Sequence, residues 1–505
     1  MAPSTPALPS DPNRPEAPSA AREILTSRPV RAVLLVVVMA VAAEYVPWLA
    51  PLRVLSPRPT VEATAQAPAL AAPLQVGEAV LAQPSEGHAV APGAAPTAVA
   101  ERPGDTAEAA PKVQVLDPTG HALDGLFSAL HRTDQKLAGA VTRIVHFGDS
   151  IVAGDLVSGT LRRKLQTRFG DAGHGFTLIA NAWPAYFHND IERYATAGWK
   201  VSRVVGPLAS DGFYGLGCVS FSAEKNVLAR FGSSKSGDFG RNVAKFTLSY
   251  LSSPTGGSFE VSIDGKAVGS VDTRADTTRS EWKEFSVADG PHELTLLTKS
   301  GVSRLFGAVL ERDTPGVVLD AIGIQGARVR FLDKQDDAHW AEQLAQRKPN
   351  LLVYQFGANE SADGTLYPMV DYRRTLREVV AQGQRAVPQA SCLIVAAMDR
   401  AQKKGEELTS VGVIPLLVRE QRAVAEELGC AFFDTYDAMG GRGSMAQWVR
   451  RGLGQADLTH PSGAGAELIG TWIYRALLAR YREFATGTPN SGPNTAPATS
   501  SPSLR

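Results

Sequence analysis

The tripeptide Gly148-Asp149-Ser150 closes the apolar run RIVHF, and a helical pattern begins a few residues later. A serine in such a strand-to-helix turn is exposed by its glycine and lies near helix amides that stabilise negative charge, which suits a nucleophile. Taken alone, the same tripeptide reads better as a plain strand-to-helix turn with Ser as a cap. Near the other end stands Asp457-Leu458-Thr459-His460, followed by Pro461. An imidazole that removes a hydroxyl proton must itself be oriented by an acceptor, and an aspartate three residues earlier lets one tight turn supply both groups. Gly326, in IGIQGAR, and Gly357-Ala358-Asn359, directly after LLVYQF, complete the set. The backbone N–H groups of Ser150 and Gly326 and the side-chain amide of Asn359 are candidate donors to the oxyanion of a tetrahedral intermediate.

Each stretch is commonplace by itself, so their common position carries the weight. Short apolar strands expected at 143–147, 318–324, 351–356, 392–397 and 430–433 alternate with helices expected at 156–169, 336–346, 367–386, 413–428 and 462–484. Such alternation specifies a parallel sheet covered by helices. All four chemical stretches follow a strand or precede the last helix, which puts them on the carboxyl edge, where open α/β sheets place their ligands. Between the first and second strands, from 206 to 312, the pattern changes to period two in KFTLSYL, FEVSIDGKAVGSV, WKEFSV and HELTLLT, with Asp264-Gly265 as a hairpin turn. That stretch reads as an inserted β-sandwich.

The ends are of another kind. Residues 1–30 read as a cytoplasmic segment and 31–52 as an apolar membrane anchor, interrupted by Glu44 and preceded by Arg14, Arg22, Arg28 and Arg31. A cleaved signal peptide is the alternative, with small residues at Val41-Ala42-Ala43. Either way the body is expected outside the cytoplasm, in the periplasm or cell envelope, and in the anchored case it is tethered to the inner membrane. Residues 53–112 are an Ala/Pro-rich linker and 487–505 a polar tail. Lys+Arg and Asp+Glu balance at 51 each, which argues against a nucleic-acid partner. Cys218, Cys392 and Cys430 are too few for a disulfide framework or a zinc site and read as small buried hydrophobes, with a bridge between one pair as the alternative.

The ordered set Gly148-Asp149-Ser150, Gly326, Gly357-Ala358-Asn359 and Asp457-Leu458-Thr459-His460 resembles the four blocks of SGNH, or GDSL-type, hydrolases. Within that family, the stretches HFGDSIVAGD, RFGDAGHGF, IGIQGAR and AMGGRGSMAQWVRRGLGQADLTHPSGAGAELIG are similar to those of bacterial peptidoglycan O-acetylesterases and their cell-envelope relatives. The resemblance implies a flavodoxin-like three-layer α/β sandwich with a five-stranded parallel sheet. Its hydrolase parts fall at 113–205 and 313–486, around a jelly-roll-like, carbohydrate-binding-like module at 206–312. It further implies a Ser150–His460–Asp457 triad, an O-acetylated wall polysaccharide as substrate, and no metal or organic cofactor. Many members carry Asp after the third-block Asn, where this chain has Glu360. Two competing readings are an O-acetyltransferase using the same triad and a non-catalytic wall-binding protein.

Other residues receive blander readings. His146 is expected to be a packed in-strand residue, Asp155 a helix N-cap and Asp149 structural, while His174, His188 and His339 have no pairing that suggests metal ligation. Phe213, Tyr214, Trp282 and Phe285 are candidate sugar-stacking aromatics of the insertion, since flat rings complement pyranose faces. The stretch 439–448 is a candidate lid beside His460.

Overall fold

The computed structural model describes residues 113–487 apart from Ala185. The expected cytoplasmic segment, anchor or signal peptide and linker lie outside the described residues, as does all but the first residue of the polar tail. Among the described residues, no helix is long and apolar enough to cross a membrane.

Five parallel strands form the central sheet: β1 (Val141–Gly148), β2 (Gly316–Gly323), β3 (Leu351–Gln355), β4 (Ser391–Val395) and β5 (Ala431–Phe433). Their order is β2-β1-β3-β4-β5, the flavodoxin-like arrangement in which the chain starts inside the sheet and reverses direction once. The main helices are α1 (Asp124–Asp134), α2 (Ser150–Ala153), α3 (Val157–Phe169), α4 (Asp337–Arg347), α5 (Ala358–Asp363), α6 (Met369–Ala386), α7 (Ile414–Leu428), α8 (Thr435–Met439), α9 (Ser444–Arg450) and α10 (Gly463–Thr486).

Period-two alternation sorts the strand side chains onto two faces. Ile144, Leu319, Val353 and Leu393 pack against α1, α3 and α10 through Leu126, Leu161 and Ile473. Val145, Phe147, Leu352, Tyr354 and Ile394 face α4, α6 and α7 through Trp340, Leu376 and Leu417. Local signals end the helices where expected: Asp336 caps α4 by accepting from the His339 N–H at 2.8 Å, Ser462 caps α10, and Gly429 stops α7 in the left-handed region.

The stretch between β1 and β2 builds two antiparallel sheets. One contains strands 279–290, 243–252, 303–311, 219–223 and 200–203, with 175–177 added beside 303–311. The other contains 191–195, 228–233, 293–300, 258–263 and 266–272. Strands 175–177, 191–195 and 200–203 all precede Gly206, so the antiparallel structure begins earlier than its clearest period-two signal. Asp264 and Gly265, both with positive φ, make the expected hairpin. The core of this module runs without a break into the Trp340 face of the parallel sheet. An ion-pair network fastens the junction: Glu311 accepts from Arg143 and Arg347, and Arg347 also donates to Asp320 of β2.

One cysteine reading is corrected. Cys392 and Cys430 form a disulfide, while Cys218 is free and buried. Leu393 pairs with Ala431 across β4 and β5, so the residues just before them stand side by side, a juxtaposition that only the sheet order reveals.

Candidate active site

Three loops leave the sheet at one level because of strand register. Gly148, the last residue of β1, pairs with Gly323 on one side and with Gln355 on the other. A Cβ on Gly148 would lie 2.3 Å from Val152 Cγ2, so the glycine lets α2 fold back onto the strand end. Ser150 opens that short helix. Asp149 caps it by accepting from the Ile151 N–H at 3.0 Å, and its other oxygen accepts from the Ala358 N–H at 3.3 Å. The Asp149 carboxyl is thus structural, as expected. Burial pushes its pKa up to about 6, against the opposing pull of those N–H donors and of His460.

The other half of the site is the turn before α10. Leu458 adopts a left-handed φ of 62°, which folds the turn back on Asp457. Asp457 Oδ1 accepts from the backbone N–H groups of Thr459 and His460 at 2.9 and 3.0 Å, and Oδ2 accepts from His460 Nδ1 at 2.6 Å. Burial acts to raise the Asp457 pKa, but the donors from His460 and Thr459 outweigh it and hold the carboxyl below its usual range. His460 Nε2 lies 2.7 Å from Ser150 Oγ. With the Nδ1 proton committed to Asp457, Nε2 is left to accept the Ser150 proton. A hydroxyl, an imidazole and a carboxylate therefore form one continuous hydrogen-bonded chain, with His460 and Asp457 partly open to solvent. Such a chain can raise the nucleophilicity of the hydroxyl and return the proton to a leaving group.

Gly326 lies in the loop after β2, and Asn359 near the start of α5. Gly326 takes a φ of 77°, and a Cβ there would meet only open space. The Asn359 side-chain amide donates to the Ala327 carbonyl at 2.9 Å, tying α5 to the loop after β2. Glu360, the residue that departs from the family pattern, is fully buried beneath them. Its Oε1 accepts from the Val329 N–H at 2.8 Å, and burial, assisted by the nearby Asp149 carboxylate, pushes its pKa up to about 7.

Arg400 escaped the sequence reading. It follows the carboxyl end of β4 and donates from Nε to Thr459 Oγ1 at 2.8 Å, with Ser361 Oγ 3.4 Å from another of its nitrogens. It thereby joins the His460 turn to α5. The edge argument applied to the first three strands, extended to SCLIVAAMDR, would have found it.

Several other readings change. Tyr214 and Phe285 are 1% and 9% exposed, so these two candidate sugar-stacking rings belong to the core. Phe213 stacks on the His339 ring at 4.6 Å instead of standing free, whereas Trp282 is half-buried and lines a cavity. The expected lid at 439–448 is packed structure: Met439, Met445 and Trp448 are buried, and Asp399 accepts from the Met445 N–H at 2.9 Å. Asp155 does not cap α3. Its fully buried carboxylate takes two bonds from Arg162, plus donors from Ser158 and Asn189. His146, by contrast, is the packed in-strand residue expected, buried and bonded to Gln355, while His174 pairs with His188 at 3.1 Å and His339 bridges Gly215 and Ser280.

Residues 286–468 match the GDSL-like Lipase/Acylhydrolase family. That range contains Gly326, Asn359, Asp457 and His460, whereas Ser150 lies outside it, on the far side of most of the insertion. The fold also superposes on a solved structure described as "Peptidoglycan O-acetylesterase in action, 5 min", with a TM-score of 0.62 at 22% identity over 73% of this chain and 99% of that one. A family two carbohydrate esterase from Cellvibrio japonicus matches at 12% identity over 58% of this chain and 99% of that one, with a TM-score of 0.24. The acetylxylan esterase Axe2 from Geobacillus stearothermophilus matches at 21% identity over 33% and 73%, with a TM-score of 0.25. Superpositions that loose carry no argument. No curated protein sequence matches the chain. The family match on one side of the insertion and the shared fold across it support a carboxylic ester hydrolase of the GDSL-like, or SGNH, type.

Proposed function

We propose that this chain removes O-acetyl groups from a cell-envelope glycan, peptidoglycan in the first instance, through an acyl-enzyme on Ser150. The single observation that carries the reading is the unbroken chain from Ser150 Oγ through His460 to Asp457, at 2.7 and 2.6 Å. Ser150 Oγ attacks the ester carbonyl as its proton passes to His460 Nε2, and Asp457 stabilises the imidazolium. Donors from the Ser150 and Gly326 N–H groups and the Asn359 amide receive the oxyanion. Collapse expels the sugar hydroxyl, which takes the proton from His460. Water, deprotonated by the same His460, then releases acetate and restores Ser150.

The choice of glycan draws on the fold shared with the structure described as a peptidoglycan O-acetylesterase, over 73% of this chain and 99% of that one. Placement of the body in the periplasm, tethered through the apolar segment at 31–52, belongs to the same proposal. The test is acetate release from O-acetylated peptidoglycan and from other O-acetylated polysaccharides, beside aryl acetates. Ser150→Ala should lower every rate by about 10³-fold or more. Hydrolysis of aryl acetates and of another glycan, but not of peptidoglycan, would overturn the substrate while leaving the chemistry in place.

A further inference from the structure

A polar cavity of about 220 Å³ opens where the insertion meets the parallel-sheet body. Register explains its lining. Trp282 stands opposite Ser249, Glu284 opposite Thr247, and Lys245 opposite Glu311, so one face of the larger antiparallel sheet presents a polar strip around an indole. α4 and the residue after it close the other side with Gln343, Arg347 and Lys348. Gln343 is only 2% exposed; its Oε1 accepts from Ser249 Oγ at 3.3 Å, while its Nε2 has no partner in the structure. A buried amide donor left unpaired costs about 1–3 kcal/mol, so its place in a cavity wall points to a ligand that accepts from it. Arg143 and Arg347 are committed to Glu311 and Asp320, which fixes the floor, and Lys348 at the rim is exposed.

The cavity is remote from Ser150. Arg143, in its wall, lies five positions before Gly148 along β1, about 17 Å at the rise of a strand. It therefore opens towards the amino edge of the sheet, opposite the hydrolytic site. A flat aromatic surface bordered by amide, hydroxyl, carboxylate and ammonium groups matches a pyranose, whose C–H face stacks on the ring and whose hydroxyls bond around it.

We propose that this cavity is an accessory subsite that holds one sugar residue of the glycan whose ester is cleaved at Ser150, stacked on Trp282 and bonded by Gln343. It rests on the reading of the chain as a glycan esterase and adds a second point of attachment. Holding a polymer at two points raises its effective concentration at the hydrolytic site without altering the chemistry there. Small esters gain nothing from it.

The experiment uses the full chain carrying Ser150→Ala, titrated with soluble peptidoglycan glycan fragments while indole fluorescence is followed. Saturable binding is expected. Adding Trp282→Ala should weaken it about tenfold, Gln343→Leu should weaken it as well, and Trp282→Phe should largely retain it. In the chain with Ser150 intact, Trp282→Ala should raise the KM for O-acetylated polymer and leave aryl acetate turnover unchanged, which also shows that the variant folds. Unaltered fragment affinity in Trp282→Ala, or equal losses on polymer and aryl acetate, would overturn the subsite. Failure of the glycan-esterase reading looks different, since it leaves aryl acetate hydrolysis without glycan deacetylation, and the fragment titration still decides whether the cavity binds sugar.

Discussion

Gly148 and Gly323 stand opposite each other on the last rung of β1 and β2, and neither has room for a side chain. A Cβ on Gly323 would lie 1.9 Å from the Ala153 backbone nitrogen. The end of α2 is therefore pressed onto the end of the neighbouring strand, and Ser150, which opens this one-turn helix, inherits its position from that contact. Gly323→Ala must displace α2. We expect a loss of about 1–3 kcal/mol in stability and a kcat about a hundredfold lower. Denaturant unfolding together with aryl acetate kinetics checks both. Unchanged kcat would mean that this contact does not set the nucleophile.

Arg400 acts on the other partner of Ser150. By holding the Thr459 hydroxyl one residue before His460, it fixes the turn that aims the imidazole. Arg400→Ala should lower kcat on aryl acetates by about tenfold to a hundredfold with little change in KM, and Arg400→Lys should restore only part. A rise in KM alone would assign Arg400 to ester binding instead.

Glu360 gives stability a pH dependence of defined sign. Its carboxyl ordinarily titrates at 4.5, but burial moves it to about 7 in the folded chain. Between those values the folded state holds a proton that the unfolded state has released. The resulting stability is complete in acid and is lost as pH rises through about 7. Glu360→Gln keeps an acceptor for the Val329 N–H and removes the titration. Relative to this variant, the native chain should lose on the order of 2 kcal/mol between about pH 5 and about pH 8. A stability difference that does not change with pH would contradict this assignment.

The disulfide between Cys392 and Cys430 closes a loop with a sequence separation of 38. Chain-entropy arguments give a bridge of that span about 4 kcal/mol. Reduction, or replacement of both cysteines by alanine, should lower the melting temperature and the denaturant midpoint, while leaving native-state kcat on aryl acetates unchanged because the bridge lies at the amino ends of β4 and β5. Equal midpoints for native and double-variant chains would show that the bridge contributes nothing.

The parallel sheet was legible because each of its strands is a short apolar run and each motif follows one or precedes the last helix. Sequence order also placed Ser150 and His460 on a common edge, although only the observed register shows that Gly148, Gly323 and Gln355 end on one level. Less could be read where the meaning of a residue depends on its neighbours in space. Tyr214 and Phe285 looked like binding rings because composition cannot tell which face of a sheet is covered. Cys392 and Cys430 looked unrelated because their adjacency comes from strand order. The early antiparallel strands are short and carry charged residues such as Glu192, Arg193 and Lys200, which hides their period. Asp155 sits where caps sit, yet Arg162, two helix turns onward, claims its carboxylate.

Whether Ser150 carries the acyl group is decided by intact-protein and peptide mass spectrometry after rapid acid quenching of enzyme mixed with an activated acetyl ester. One added acetyl group is expected on the peptide containing Ser150, formed at the rate of the initial burst, absent from Ser150→Ala, and formed far more slowly in His460→Ala. Acetate release by Ser150→Ala at the native rate, or an acetyl group carried on any other residue during turnover, would contradict it.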